Sequence, residues 1–376
     1  MHLMDTYRRL PVRFVRGKGV YLYDEQGRKY LDLLAGIAVN ALGYADPELT
    51  QAICEQTQRL LHVSNLFENP WQEELAGELI KSFWTRGKVF FCNSGAEANE
   101  GAIKLVRRYF YERGEKRYRI ITFYRGFHGR TFGAMSATAQ EKIQKGFEPL
   151  LEGFDYAEFN NFQSVLRALR KETAGIMLEV IQGEGGINEA QMEFLQRLQE
   201  LCRREGLLLV VDEVQTGVGR TGKFYAYEHY GIQPDIITLA KGLGGGLPIG
   251  ALLAREEVAQ AFKPGSHGST FGGNPLVCAG AMVVVKKVKS LLPQIERVGN
   301  YFKHRLEELK AGRVKGRGLM LGLELDGECS QVALKALEKG LVINCTSERV
   351  LRFVPPLIIQ EQHVDEAMGI LAEVLR

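Results

Sequence analysis

Long apolar runs are missing from this chain. No stretch offers the roughly 18 uncharged apolar residues that a membrane-crossing helix needs, so no membrane span is expected. The opening MHLMDTYRRLPVRF lacks the continuous apolar segment of a secretory leader, which points to a cytoplasmic protein. One-sided charge is missing as well: 48 Lys and Arg stand against 45 Asp and Glu, a net of +3, with no long run of either sign. That balance argues against a nucleic-acid surface and for small-molecule chemistry. The six cysteines, Cys54, Cys92, Cys202, Cys278, Cys329 and Cys345, form no CxxC pair and have no histidine at metal-ligand spacing. They read as reduced core residues, and no metal site is expected.

What is present is length, and one stretch that concentrates ionisable residues. With 376 residues the chain can bury a large core and a second, smaller one, with a cleft between them. The expected division is a segment over 1–50 joining the small domain, a large domain over 51–280 and the rest of the small domain over 281–376. Between Leu207 and Gly250 two strands each end in a group that can ionise. Leu207 to Val211 is five apolar residues in a row, the pattern of a parallel strand covered on both faces, and it runs into Asp212 and Glu213. Asp235 to Ala240 runs into Lys241 and the turn Gly242-Leu243-Gly244-Gly245-Gly246.

In open α/β sheets the ligand crevice lies outside the carboxyl ends of the strands, so Asp212 and Lys241 converge there. A structural ion pair would look the same. A carboxylate and an amine at one site also suit pyridoxal 5'-phosphate, which needs a lysine to hold its aldehyde and a carboxylate to keep its ring nitrogen protonated.

The neighbourhood favours the second reading. DEVQTGVGRTGKFYAYEHYGIQPDIITLAKGLGGGLPIGA is similar almost position for position to the signature of the class III (omega-amino-acid) aminotransferases, and the likeness runs from about Tyr21 to the C-terminal helix. The resemblance implies the type I pyridoxal-phosphate fold, an α/β architecture with a mostly parallel sheet flanked by helices and a small α+β domain made from both chain ends. It assigns Asp212 to the ring nitrogen, Gln215 to the ring's phenolic oxygen and Lys241 to the aldehyde, with Glu213 and Val214 among the cofactor contacts. Within the family the likeness is strongest to the branch acting on N2-acetyl-L-ornithine. The implied partners are therefore a small-molecule amino donor and 2-oxoglutarate.

Other segments fit that frame. Residues 21–30 read as a hairpin turning at Glu25-Gln26-Gly27-Arg28, and Asp46 before Pro47 reads as a helix N-cap. The strand Lys88 to Cys92 leads into Asn93-Ser94-Gly95-Ala96-Glu97, where Ser94 and Glu97 spell a capping box and the amides of Gly95 and Ala96 open a helix, an anion site that the family uses for the cofactor phosphate. After the strand Arg119 to Phe123, the resemblance places Phe127 against the pyridine ring and Arg130 on the substrate's distal carboxylate. His128 is not needed as a base, since lysine supplies one. The strand Gly175 to Ile181 leads to Glu184, which in relatives pairs with an arginine near the C-terminus, here Arg352, and releases it when the second substrate enters. Glu179-Val180 departs from the Glu-Pro that many relatives carry. In the loop Gly265 to Pro275 the resemblance places Ser269 near substrate and Thr270 on the partner's cofactor phosphate, and so implies a homodimer with shared sites.

Beyond that loop a helix broken around Pro293 and a βαβ-like unit with strands near 319–325 and 341–343 are expected. Gly36 and Ile37 stand where relatives that take free ornithine have an aromatic residue, which favours an N-acylated donor. Succinylornithine, N-succinyl-diaminopimelate, ornithine and 4-aminobutyrate remain alternative donors. An aminomutase shares the lysine and the fold. A nucleotide-binding oxidoreductase reading of GLGGG is weak, because that turn does not open a helix.

Overall fold

The structure is a computed structural model and describes residues 2–376. Its centre is a seven-stranded sheet: β1 (Gly87–Cys92), β2 (Arg119–Phe123), β3 (Phe154–Ala157), β4 (Thr173–Leu178), β5 (Leu208–Asp212), β6 (Ile236–Leu239) and β7 (Gly250–Arg255). The order across the sheet is β1-β7-β6-β5-β4-β2-β3. All neighbours are parallel except β7, which is antiparallel to both β6 and β1.

Every residue of β4, β5 and β6 is buried, which is why these strands are written in continuous apolar residues rather than alternating ones. Successive side chains still point to opposite layers. Leu208 and Val210 pack with Ala102, Leu105, Val106 and Phe110 of the helix Gly95–Glu112, while Leu209 and Val211 join the main core on the other face. No helix among the described residues is long and apolar enough to cross a membrane.

Two four-stranded sheets and one two-stranded sheet, Ile181–Gln182 with Asn188–Glu189, complete the strands. Strands Phe14–Lys18, Tyr21–Asp24 and Lys29–Asp32 form an antiparallel meander, the hairpin turning at residues 25–28 as its sequence suggests. The other four-stranded sheet holds Arg313–Arg317, Met320–Glu324, Val350–Phe353 and Asn344–Thr346, antiparallel throughout.

Three expectations are corrected. Residues 341–342 do not pair with 320–324 in a βαβ-like unit; they run parallel to Leu31 and Asp32. Both edges of Met320–Glu324 are taken by 313–317 and 350–353, and the meander offers the free edge. Pro293 does not break its helix, which continues from Pro275 to Glu308. The cost of about 3 kcal/mol for an interior proline is offset by packing, since Val288, Ile295 and Val298 on either side of it are fully buried. The cysteines are not all reduced core residues either. Cys329 and Cys345 are bonded to each other with Cα atoms 5.4 Å apart, and Cys54 is exposed. Two segments remote in pattern but adjacent in space make that bond, which spacing alone does not reveal.

Candidate active site

Asp212 is the last residue of β5 and is buried at its mouth. Its carboxylate is held from three sides. Asn99 Nδ2 donates to Oδ2 at 2.8 Å, His128 Nδ1 lies 2.7 Å from the same oxygen, and the Val214 amide donates to Oδ1 at 3.0 Å. Asn99 is fixed in turn by Thr238 of β6, whose hydroxyl donates to Asn99 Oδ1 at 2.7 Å. Burial pushes the His128 pKa down, but the hydrogen bond and charge of Asp212 outweigh it and leave the imidazole above its ordinary value. Through that contact His128 positions Asp212. Glu179 beside them accepts from the amides of Phe127 (2.9 Å) and Gly183 (3.1 Å), and burial raises its carboxyl to about 7.

Lys241 leaves β6 after Ala240, and the parallel register that sets Asp212 beside Thr238 brings the lysine to the same end of the sheet. Its backbone sits at φ 44°, a left-handed conformation that is costly for a residue with a side chain and that clusters at functional sites. Burial lowers its amine pKa.

Both residues line a cavity of about 400 Å³. Asn93 to Ala96 close one end, and Phe127 and Val214 also border it. Ser94 caps the helix by accepting from the Glu97 amide at 3.2 Å; the Glu97 carboxylate reaches back one residue farther than the usual box, to the Asn93 amide at 2.6 Å. The amides of Gly95 and Ala96 then have no protein acceptor among the described residues. A Cβ on Gly95 would lie 2.6 Å from Val214 Cγ1, and one on Gly129 would lie 2.7 Å from the Ala96 Cβ. An anion-sized cradle is thus kept open by small residues, with an amine, a carboxylate and an aromatic ring around the same space.

The far end of the site is built differently. Arg352, on the strand Val350–Phe353, is 1% exposed and pairs with Glu184 Oε1 at 2.5 Å. It also donates to Asn344 Oδ1 (3.1 Å) and Gln215 Oε1 (3.3 Å). Burial would raise the Glu184 carboxyl, but the charges of Arg352 and Lys241 hold it below its ordinary value. Gln215 borders the cavity and touches both members of the pair, donating to Glu184 at 3.5 Å. Arg130 is exposed at the mouth, its guanidinium 5.8 Å from the Phe127 ring centroid.

Five expected residues do not border this cavity. Glu184 and Arg352 lie beyond Gln215, which borders it and contacts them both. Glu213 turns away to accept from the amides of Ala226 (3.0 Å) and Tyr227 (2.8 Å) and from Thr216 (2.8 Å), so its carboxylate braces a turn. Ser269 accepts from Asn93 Nδ2 at 3.2 Å at the rim, and Thr270 is exposed. Gly36 and Ile37 sit in a left-handed turn (φ 64° and 67°) whose neighbour Val39 borders the cavity instead. Sequence reading missed Asn99, Glu179 and Thr238. Asn99 had a signal, being a polar residue on the apolar face that Ala98, Ala102, Leu105 and Val106 bury.

Comparison with known proteins decides the family: the model for "Aminotransferase class-III" matches residues 4–375. The chain belongs to the class-III aminotransferases. It is 63% identical over 374 residues to the acetylornithine aminotransferase of Aquifex aeolicus, with 100% of both chains covered, and 54% identical over 383 residues to that of Caldanaerobacter subterraneus, covering 100% of this chain and 97% of the other. Among solved structures, N-acetylornithine aminotransferase from Stenotrophomonas maltophilia superposes with a TM-score of 0.84 at 39% identity, covering 98% of this chain and 96% of that one. Ornithine aminotransferase from Toxoplasma gondii superposes at 0.95 with 34% identity, covering 100% and 92%. The backbone is therefore shared across donors, and side chains select among them.

As a class-III aminotransferase the protein has the type I fold, uses pyridoxal phosphate and takes an amino donor and a keto acid. The residues present fit that cofactor. Gly95 and Ala96 would receive its phosphate, Phe127 and Val214 would flank its ring, Asp212 would face the ring nitrogen, and Lys241 would take its aldehyde.

Proposed function

We propose that this aminotransferase moves the δ-amino group of N2-acetyl-L-ornithine to 2-oxoglutarate, giving N-acetyl-L-glutamate 5-semialdehyde and L-glutamate, a step of arginine biosynthesis. The observation that carries the terminal-amine part of this reading is Arg352 buried beneath Glu184 at 2.5 Å. A donor whose reacting amine sits on an uncharged methylene does not need an arginine beside that carbon, and Glu184 masks the one that is there. Among donors of that kind, the identity to acetylornithine aminotransferases supports acetylornithine.

Bound pyridoxal phosphate supplies an electron sink for the carbon that loses its proton. The chain supplies the rest. Lys241, its amine pKa lowered by burial, is a free base more readily than a surface lysine and carries the proton to and from the substrate carbon. Asp212, fixed by Asn99, His128 and the Val214 amide, would present its carboxylate to the ring nitrogen. Arg130 takes the distal carboxylate. When glutamate or 2-oxoglutarate enters, Glu184 swings off Arg352, which then binds the second carboxylate by paired charge-assisted hydrogen bonds.

Thr270 projects from its own subunit without bordering its own cavity, which supports a homodimer in which it completes the partner's phosphate site. The mixed charge pattern supports an enzyme without a nucleic-acid partner. A panel of amino donors with 2-oxoglutarate, reporting glutamate formed, tests the reading. Acetylornithine should give the highest kcat/KM, and a clear preference for free ornithine or 4-aminobutyrate would overturn it.

A further inference from the structure

The hairpin that carries Arg352 is tied to the fold by a covalent bond that transamination does not require. Its two strands, Asn344–Thr346 and Val350–Phe353, pair antiparallel around a turn in which Ser347 and Glu348 adopt φ 51° and 65°. That turn is left-handed at two residues with side chains, so something must hold it. The first strand serves the carboxylate end of the site directly. Asn344 accepts from Arg352 Nε, and the Thr346 hydroxyl donates to the backbone carbonyl of Glu184 at 2.9 Å. The tip rests on the neighbouring loop, where a Cβ on Gly186 would lie 3.0 Å from the Ser347 Cβ.

Cys345 lies between Asn344 and Thr346 and is bonded to Cys329 at the start of the helix Ser330–Glu338. The Cys329 amide also donates to the Glu348 carbonyl at 2.9 Å, so one residue anchors both the strand and the turn.

We infer that Cys329–Cys345 is a thiol–disulfide exchange site whose state sets how firmly Arg352 is held for a substrate carboxylate. The inference rests on the Glu184–Arg352 gate proposed above. Its partner is a dithiol reductant. Cys329 is fully buried and Cys345 is part-exposed, so the incoming thiolate attacks the sulfur of Cys345. The Sγ–Sγ bond breaks and Cys329 leaves as a thiolate that takes a proton from water. The second thiol of the reductant then attacks the mixed disulfide, closes its own disulfide and releases Cys345. Two electrons pass from the dithiol to the cysteine pair.

The buried thiols of this chain do not compete: burial pushes Cys92 and Cys278 up to about 12 and raises Cys202, keeping all three protonated. Once reduced, the strand that presents Asn344 and Thr346 loses its covalent tie and keeps only hydrogen bonds, so the alignment of Arg352 and Glu184 loosens.

Thiol titration of denatured holoenzyme should find the four free cysteines before treatment with dithiothreitol and all six afterwards. With the reductant removed by gel filtration, single-turnover measurements should show the glutamate half-reaction needing about three- to tenfold more glutamate for half-saturation, the worth of roughly one hydrogen bond. The acetylornithine half-reaction should change less than about twofold on the same scale. The double variant Cys329→Ser/Cys345→Ser should match the reduced enzyme and ignore dithiothreitol. Six thiols in the untreated protein, unchanged glutamate kinetics after reduction, or an equal loss in both half-reactions would each overturn the inference. Glu184→Ala run alongside separates the two ideas. If it disturbs the two half-reactions unequally while reduction does nothing, the exchange site alone falls; if it disturbs them equally, the gate falls and the inference with it.

Discussion

The two ends of the site are held by different kinds of structure. Asp212 and Lys241 end adjacent parallel strands that are buried along their whole length, and Asp212 is gripped by three donors from three segments. Arg352 and Glu184 belong to short hairpins and loops whose turns contain left-handed residues such as Ile187, Ser347 and Glu348. A group that must keep one position throughout the reaction belongs on the first kind of support. A group that must pair with Glu184 at one stage and with substrate at another belongs on the second, where local opening costs less. Side-chain pins from Asn344, Thr346 and Gln215 bias the second end without locking it.

The largest effect is expected at the rigid end. Lys241→Ala should abolish multiple turnover, because it removes the only amine in the cavity, while the protein stays folded and keeps some cofactor through the remaining contacts. Substantial steady-state glutamate production by that variant would show the proton carrier to be elsewhere. Asp212→Asn should cost at least about 100-fold in kcat with cofactor still bound, the scale of losing a preorganised charge at a reacting system. Wild-type kcat would mean that its three donors serve the fold alone.

At the adjustable end the effects should be smaller and one-sided. Arg352→Ala removes charge-assisted hydrogen bonds worth about 1.5–3 kcal/mol, or roughly 10- to 150-fold in the glutamate half-reaction, and should spare the acetylornithine half-reaction. Glu184→Ala should speed the glutamate half-reaction and slow the acetylornithine one by a lesser factor. Single-turnover absorbance for each half-reaction measures both, and symmetrical losses would erase the distinction between the two ends.

The smallest effect concerns Glu213, which shares the strand end with Asp212 but faces the fold. Burial raises its carboxyl to about 7 from an ordinary 4.5. The folded state therefore binds the proton more tightly than the unfolded chain. Its contribution to stability is complete below about pH 4.5 and is lost as pH rises through about 7. Glu213→Gln, which cannot titrate, should show a shallower fall in Tm between pH 5 and pH 8 than the parent. An identical pH profile would show that Glu213 does not titrate in this range.

The sequence by itself determined the rigid end of the site. Five apolar residues before Asp212, the run Ile236-Ile237-Thr238-Leu239 before Ala240 and Lys241, and the run Ser94-Gly95-Ala96 are local patterns, and local patterns record which faces are buried and where a strand must stop. The hairpin at residues 25–28 and the helix cap at Asp46 were legible for the same reason. Tertiary structure alone decided the rest. Asn99, Thr238 and Glu179 reach Asp212 and its neighbours only because four separate segments meet at the sheet mouth. Residues 341–342 chose the N-terminal meander because the nearer strand had no free edge. Cys329 found Cys345 across a helix and a strand whose spacing carries no trace of the bond. Pro293 stayed inside a continuous helix because packing on either side outweighed a local preference. In each case the deciding energy belongs to a tertiary contact that no local pattern of apolar and polar residues records.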